Sequence, residues 1–461
     1  MSNVDFFQLW PSRARVRLLV AVWVAFGGIV PQLKAQSELP SPQLLRVPSS
    51  RMPDTRLESL EFDLRRGIGP DEAGVIAAYL NPALRSTRDR RGLAVAQIIQ
   101  AGVLPNPQVS YTRDYVTGGN TAGTTNAYNF NASWEVTSLL PLLPKHTAAR
   151  ANLRSVDLDI AWSEWQTVES ARLAVYRVIA LRDELTSATE ADRELTQSTE
   201  TLKRAVDAHE KTVLDYGAAE ASSQDARATA LGLAQEHNKQ RLGLKRILGV
   251  PPYAEVRLRP GIGLPLHLDV PSQDALVEGL ETRRLDLLAL QQGYRSQDAN
   301  VRAAILAQFP KISLGFVKAS DTTDVHTSGF AVTVDVPIFD RNQGVLATER
   351  ATRQKLLDEY NQRVFEAHSD IATALSDIRW LNRQVAAAEE ALPIFERLVK
   401  SAETAMQEGH TDVLAYYTAR SGLIQRRVQL VKLKELLLEA QTALEIASGR
   451  FIPSNKAVHL K

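Results

Sequence analysis

From about Lys145 to Val206 the chain has no proline and few glycines, and Ala, Leu, Glu, Gln and Arg dominate. Thr212 to Gly249 has the same character. Such stretches favour helix, and at about 1.5 Å per residue the first would be on the order of 90 Å long. A globular domain has no room for such a rod. Pro251-Pro252 stops the second rod, and a connector with short extended pieces such as Val256–Leu258 follows to about Pro271.

The chain is also duplicated. Phe130–Val136 (FNASWEV) matches Phe330–Val336 (FAVTVDV), Arg150-Ala151 matches Arg350-Ala351, and Val213-Leu214 matches Val413-Leu414, each pair 200 residues apart. Upstream, Pro107–Ser110 answers Pro310–Ser313 at a spacing of 203, so the second strand pair has a shorter loop. Before the first strands a helical pattern begins at Asp71, passes Asn81-Pro82 and runs to Ala101-Gly102, with Gly as a C-cap. Each half therefore reads helix, strand, strand, long helix, long helix. The resulting division is a first repeat at 71–270, with strands about 107–117 and 126–138, and a second at 271–450, with strands about 310–319 and 327–338. A tail follows at 451–461.

The strands alternate at a period of two. Tyr128, Phe130, Ala132, Trp134 and Val136 fall on one face, and Asn129, Asn131, Ser133 and Glu135 on the other. Ile312, Leu314 and Phe316, then Phe330, Val332, Val334 and Val336, repeat the pattern, while Arg113 breaks it once in the first strand. An ordinary half-buried sheet shows the same alternation. It also suits a barrel strand between lipid and a wet lumen. Four strands cannot close a barrel, because the smallest membrane barrels use about eight, so on that reading copies of the chain share one wall. In the last helix Tyr416, Leu423, Leu430, Leu437 and Leu444 recur every seven residues, with Ala419, Leu433, Ala440 and Ala447 filling the seam. The corresponding register in the first half, Tyr216, Ser223, Ala230, His237 and Leu244, is wetter, which makes that hairpin the better candidate to move.

At the N-terminus Arg13, Arg15 and Arg17 precede an apolar run, Leu18–Val30, and Leu33-Lys34-Ala35 has the form of a cleavage site. We expect a signal peptide at 1–35, with a buried or anchoring first helix as the alternative, and a disordered lead-in at 36–70 rich in Pro, Ser and Arg. No later stretch approaches the roughly 20 apolar residues of a membrane-spanning helix. Lys+Arg 54 against Asp+Glu 53 leaves a net charge of +1 and no basic field for nucleic acid. With no cysteine, disulfides, thiolate metal sites and thiol nucleophiles are excluded. No cofactor is expected. Eight histidines are scattered, His209-Glu210 lacks a second His at helical spacing, and neither G-x-S-x-G nor a P-loop occurs. Asp157 and Asp159, two apart on a helix, diverge and make a poor acid–base pair. An enzyme is not expected.

Five motifs in order carry a resemblance: Asn81-Pro82; Pro105-Asn106-Pro107; Leu248–Pro252 (LGVPP); Val336–Gly344 (VPIFDRNQG); and Glu408–Leu414 (EGHTDVL). Over Asp71–Gly449 the chain resembles the TolC-type outer-membrane factor, or outer membrane efflux protein, family. VPIFDRNQG is most like the branch serving cobalt–zinc–cadmium exporters. The resemblance implies a mainly α fold with a β-barrel part: a homotrimer whose twelve-stranded barrel crosses the outer membrane and continues as a long periplasmic α-helical barrel. It also implies a periplasmic adaptor and an inner-membrane RND-type pump as partners. Within the motif, Pro337 ends strand pairing, Asp340 is a candidate N-cap and Gln343 a capping-box partner.

In this family helices narrow the pore at the periplasmic end, which makes Asp207, Glu210, Glu403, Glu408 and Asp412 candidate gate residues. Threefold symmetry would turn any lumen-facing acid into a cation-attracting ring, although solvated surface acids fit the same positions. The candidate adaptor-contact turns are His209 and Lys211 in one hairpin and Gly409, His410 and Thr411 in the other. His209 stands where the family pattern expects glycine, which puts the first turn's motif in doubt. Pro393 is expected to interrupt and bend the third long helix. Two rival functions remain open: a multidrug or type I secretion conduit, and an exported coiled-coil scaffold without a pore.

Overall fold

In a computed structural model, which describes residues 67–458 except 121, 269, 409–412 and 453, the helical pattern before the first strands is two helices, not one. The expected signal peptide and most of the lead-in lie outside the described residues. The lead-in's last residues are ordered: Ile68 is buried and bridges Leu258. Helix α1 spans Pro70–Leu80 and α2 spans Pro82–Ala101. A residue before proline is pushed out of the helical region, and Asn81 has ψ 119°. Its Oδ1 accepts from the N–H groups of Ala83 at 2.9 Å and Leu84 at 3.2 Å, capping α2.

The remaining elements follow the duplicated order. They are β1 (Gln108–Asp114), β2 (Ala127–Glu135), α3 (Leu142–Asp207), α4 (Val213–Leu248), β3 (Leu264–Leu268), α5 (Gln273–Val277), α6 (Leu280–Arg283), α7 (Leu285–Leu306), β4 (Lys311–Ser320), β5 (His326–Asp335), α8 (Gln343–Gln407), α9 (Val413–Ser448) and β6 (Ser454–Val458). The long helices come as 66 and 36 residues in the first half and 65 and 36 in the second. At about 1.5 Å per residue α3 reaches roughly 100 Å. Gly249 closes α4 at φ 71°, and a Cβ there would lie 2.3 Å from the Leu80 carbonyl oxygen, so only glycine lets α4 end against α1.

The main sheet is antiparallel with order β1-β2-β4-β5. Its register puts Val109 opposite Ala132, Tyr111 opposite Phe130, Trp134 opposite Leu314, Phe316 opposite Phe330, and Leu314 opposite Val332. Residues directly opposite share a face, so the apolar face is continuous across all four strands. Arg113 and Lys318 are charged exceptions on that face, opposite Tyr128 and Phe130. Asn129, Asn131, Ser133 and Ser313 line the other side. Among the described residues nothing covers the apolar face: Phe330 is 94% exposed and Val332 66%.

The hydrophobic core sits among the helices. Small residues on α3, such as Ala171, Ala174 and Val178, and Ala367 and Ile371 on α8, join Leu437 and Leu444 of α9 in one buried cluster. Of the last helix's heptad positions, Leu423, Leu430, Leu437 and Leu444 are buried and Tyr416 is half-buried. The first-half register is polar yet closed, with Ser223, Ala230 and Leu244 buried and the Thr196 and Ser223 hydroxyls 3.3 Å apart.

Two expectations about the second repeat are corrected. Helix α8 runs through Pro393 without interruption; the proline is on an exposed face while Val399 beyond it is anchored against Ala419 and Leu423. Asp340 does not cap α8. Asn342 occupies the N-cap position in a left-handed backbone (φ 59°) without a side-chain capping bond, its Nδ2 donating to the Ala304 carbonyl at 2.9 Å, and Asp340 accepts from the Asn342 N–H at 2.9 Å. Gln343 accepts from the Arg341 N–H at 2.7 Å. A second, two-stranded sheet pairs β3 with β6 antiparallel, so the chain's last described residues return to the connector.

Candidate functional site

The described residues among those singled out as gate and adaptor contacts, Asp207, His209, Glu210, Lys211, Glu403 and Glu408, lie at or near the ends of two helical hairpins, α3/α4 and α8/α9. At the first end Asp207 is the last residue of α3 and Ala208 its C-cap. His209 takes φ 60°, its N–H donates to the Val206 carbonyl at 2.9 Å, and the Glu210 N–H donates to the Ala205 carbonyl at 2.8 Å. These paired bonds close a helix end that ordinarily recruits glycine. Thr212 then starts α4: its hydroxyl accepts from the Asp215 N–H at 3.1 Å, and Asp215 Oδ2 accepts from the Thr212 N–H at 3.0 Å. Asp207, His209, Glu210 and Lys211 are all exposed.

At the second end Glu403 and Glu408 are exposed, and the Glu408 N–H donates to the Thr404 carbonyl at 3.0 Å. Gly409, His410, Thr411 and Asp412 lie outside the described residues. Each hairpin end thus presents acids to its surroundings, while the tie between hairpins lies farther along the rods.

That tie joins α3 to α9, and most of its residues carry no motif. Arg420 of α9 is ion-paired with Glu194 of α3, and Arg177 of α3 with Glu439 of α9. Tyr417, 3% exposed, enters a cluster with Leu195 of α3 and Ala219 and Ala226 of α4. Its hydroxyl shares hydrogen bonds with those of Ser198 and Thr199, and Thr199 donates to the Ala219 carbonyl at 3.2 Å. Burial raises the Tyr417 hydroxyl pKa, with Ser198 and Thr199 opposing it. Burial also raises that of Glu184 on α3, which the Arg427 guanidinium across the seam pulls back down. Burial lowers the Arg420 pKa, and Arg427 adds to that effect. On its other side α9 holds α8 through Lys434–Glu389 at 2.7 Å and Arg427–Glu396 at 3.0 Å.

The duplication held the signal for these residues. At the 200-residue offset Tyr417 and Arg420 correspond to Gly217 and Glu220, and Glu439 to Lys239. Helix α4 therefore lacks the side chains that α9 uses. Asp157 and Asp159 are accounted for structurally, in ion pairs with Arg91 at 2.9 Å and Arg90 at 2.7 Å. Among the described residues no group of three or more His, Cys, Asp or Glu is placed to hold a metal ion.

Comparison with known proteins gives a consistent result. Residues 276–450 match the family model described as outer membrane efflux protein. The cation efflux system protein CusC of Escherichia coli O6:H1 is 26% identical over 50% of this chain and 52% of its own length. The multidrug resistance outer membrane protein MdtP of Escherichia coli K12 is 24% identical over 62% of this chain and 59% of its own length. The matched stretch thus spans about half the length of these curated relatives. In fold, the chain is similar to the Campylobacter jejuni CmeC outer membrane channel, with a TM-score of 0.73 at 13% identity over 89% of this chain and 94% of that one.

Proposed function

We propose, from the match of residues 276–450 to the outer membrane efflux protein model, that the protein belongs to that family and is the outer-membrane channel of a tripartite efflux system. Three copies join their sheets into one barrel in lipid and continue as a helical tunnel across the periplasm, working with a periplasmic adaptor and an inner-membrane RND-type pump. One observation carries this reading: a predominantly apolar face, interrupted by Arg113 and Lys318, runs over four strands without cover among the described residues, and β1 and β5 are the sheet's outer strands. Open edges are not tolerated in lipid, and a bare apolar sheet is an association hazard in water. Joining with copies inside a membrane removes both problems.

The cargo is a small solute, with heavy-metal cations preferred because of the similarity to CusC; the similarity to MdtP favours a multidrug cargo as the second reading. Sensitivity of a deletion strain to zinc, cobalt or cadmium, set against dyes, separates them.

At rest the α3/α4 and α8/α9 hairpins are held together by Arg420–Glu194 and by Tyr417 against Ser198 and Thr199. Adaptor contact at His209, Lys211, Gly409, His410 and Thr411 separates the hairpins and opens the periplasmic end. The acids Asp207, Glu210, Glu403, Glu408 and Asp412 line that end and favour cations. In planar-bilayer recordings Arg420→Ala and Tyr417→Phe should raise the open probability of the isolated channel. Unchanged recordings would remove the seam from the mechanism. Replacing Glu403, Glu408 and Asp412 together by amides should lower cation selectivity, and unchanged conductance and selectivity would argue against the acidic ring.

A further inference from the structure

Near the C-terminal end of α9, far along the sequence from the hairpin ends, two buried carboxyl groups meet. Glu169 of α3 is 5% exposed and Glu445 of α9 is 8% exposed, and the two side chains line the same small cavity. The segment leaving α9 covers them. Gly449 turns the chain at φ 62°, and the Ile452 N–H donates to Glu445 Oε1 at 2.9 Å. The Phe451 ring lies on the Arg172 guanidinium, 4.8 Å from centroid to Cζ. Phe451 and Ile452 wall a cavity of about 60 Å³ together with Glu169, Tyr176 and Glu445, enough space for water to reach the carboxyls. Beyond them β6 pairs with β3.

The charges around the pair do not balance. Arg172 serves Glu169 at 3.1 Å and also Asp71 of α1 at 3.1 Å, so one guanidinium faces three carboxyls. The neighbouring cations are engaged elsewhere: Arg283 donates to the Ser448 and Leu276 carbonyls, and Arg284 pairs with Asp286 at 2.6 Å and donates to the Ala447 carbonyl. Tyr176 offers only a neutral hydroxyl, its pKa raised by burial. Two adjacent carboxylates with a share in one cation favour retaining a proton between them.

We propose that Glu169 and Glu445 form a proton-operated clasp for the C-terminal strap, whose described residues are 450–452 and 454–458: a proton shared by the two carboxyls keeps the strap closed over α3 and α9, and loss of that proton lets it lift. Burial, with Glu169 adding to it, pushes the Glu445 carboxyl up to about 7, although the Ile452 N–H and Arg172 oppose the shift. Lifting the strap exposes Glu445 and returns it towards the ordinary carboxyl range. The closed state then holds a proton that the open state releases, so lifting should increase about tenfold per pH unit between roughly 4.5 and 7 and level off above. Acid closes the clasp.

Amide hydrogen exchange on the full-length protein in detergent, from about pH 5 to 8 and corrected for intrinsic exchange, tests the clasp. Protection of 451–458 should fall about a hundredfold between pH 5 and 7 and then plateau, with Glu445→Gln giving no pH response. In Glu169→Gln, which keeps an uncharged partner at that position, the fall should end at a lower pH. A flat wild-type profile, or the same slope in Glu445→Gln, would overturn the proposal. If Glu445→Gln does not assemble, an unmoved profile in Glu169→Gln is decisive against it.

Discussion

His209 carries out a glycine's conformational task without being one. A side chain in the left-handed region crowds its own carbonyl, at a cost of roughly 1–2 kcal/mol, while glycine returns part of that advantage through its freer unfolded chain. His209→Gly should therefore stabilise the first hairpin end by about 0.5–1 kcal/mol, read as a rise in the helical melting midpoint; a fall would mean that the imidazole makes contacts worth more than the strain. The departure from the family's glycine was visible in the sequence. Its backbone consequence was not, because a histidine letter does not announce a positive φ. Glu445 is a similar case: in sequence it is one more acid on a charged helix, and only burial beside Glu169 makes its titration distinctive.

At the scale of the element, the sheet's two faces make opposite demands. Phe330 and Phe316 face each other with ring centroids 6.3 Å apart on the apolar side, whereas Thr333 lies opposite Ser313 on the polar side. If the apolar side meets lipid, Phe330→Arg costs on the order of 2–4 kcal/mol near the bilayer midplane, and folded trimers should disappear from the membrane fraction. Thr333→Arg should still insert and change only conductance or selectivity. Equal tolerance of both would contradict the assignment of the faces. Gly315 adds a packing constraint, since a Cβ there would lie 3.0 Å from both the Ala132 carbonyl oxygen and Ser133 Cβ across the β2–β4 pair. Helix α8 shows the opposite lesson, that a rod whose neighbours hold it on both sides of Pro393 need not break when one backbone donor is missing.

For the whole molecule, the bare sheet and the half-buried helix faces make a single copy an incomplete object. The assembly reading predicts that the protein fractionates with the outer membrane as a heat-modifiable trimer with a clear sheet signal. A detergent-independent monomer lacking that signal would return the pore-free scaffold to favour. On the proposed function, mutations at the seam and at the hairpin ends should separate: loss of Arg420 or Tyr417 should alter gating while leaving trimers intact, because their partners Glu194, Ser198 and Thr199 belong to the same chain.

Periodicity and duplication alone determined the long helical rods and the four alternating strands, because each depends on local spacing that repeats along the chain, whereas the break between α1 and α2 and the β3–β6 pair were not read from it. The five motifs brought the family within reach for the same reason. Only the tertiary structure decided which side chains bridge the rods. Arg420 meets Glu194 across more than two hundred residues of sequence, and β6 finds β3 from the far end of the chain. Contacts of that separation leave no local pattern: they depend on how α9 is rotated against α3, which is set by the burial of a whole apolar seam rather than by the residues that make the tie.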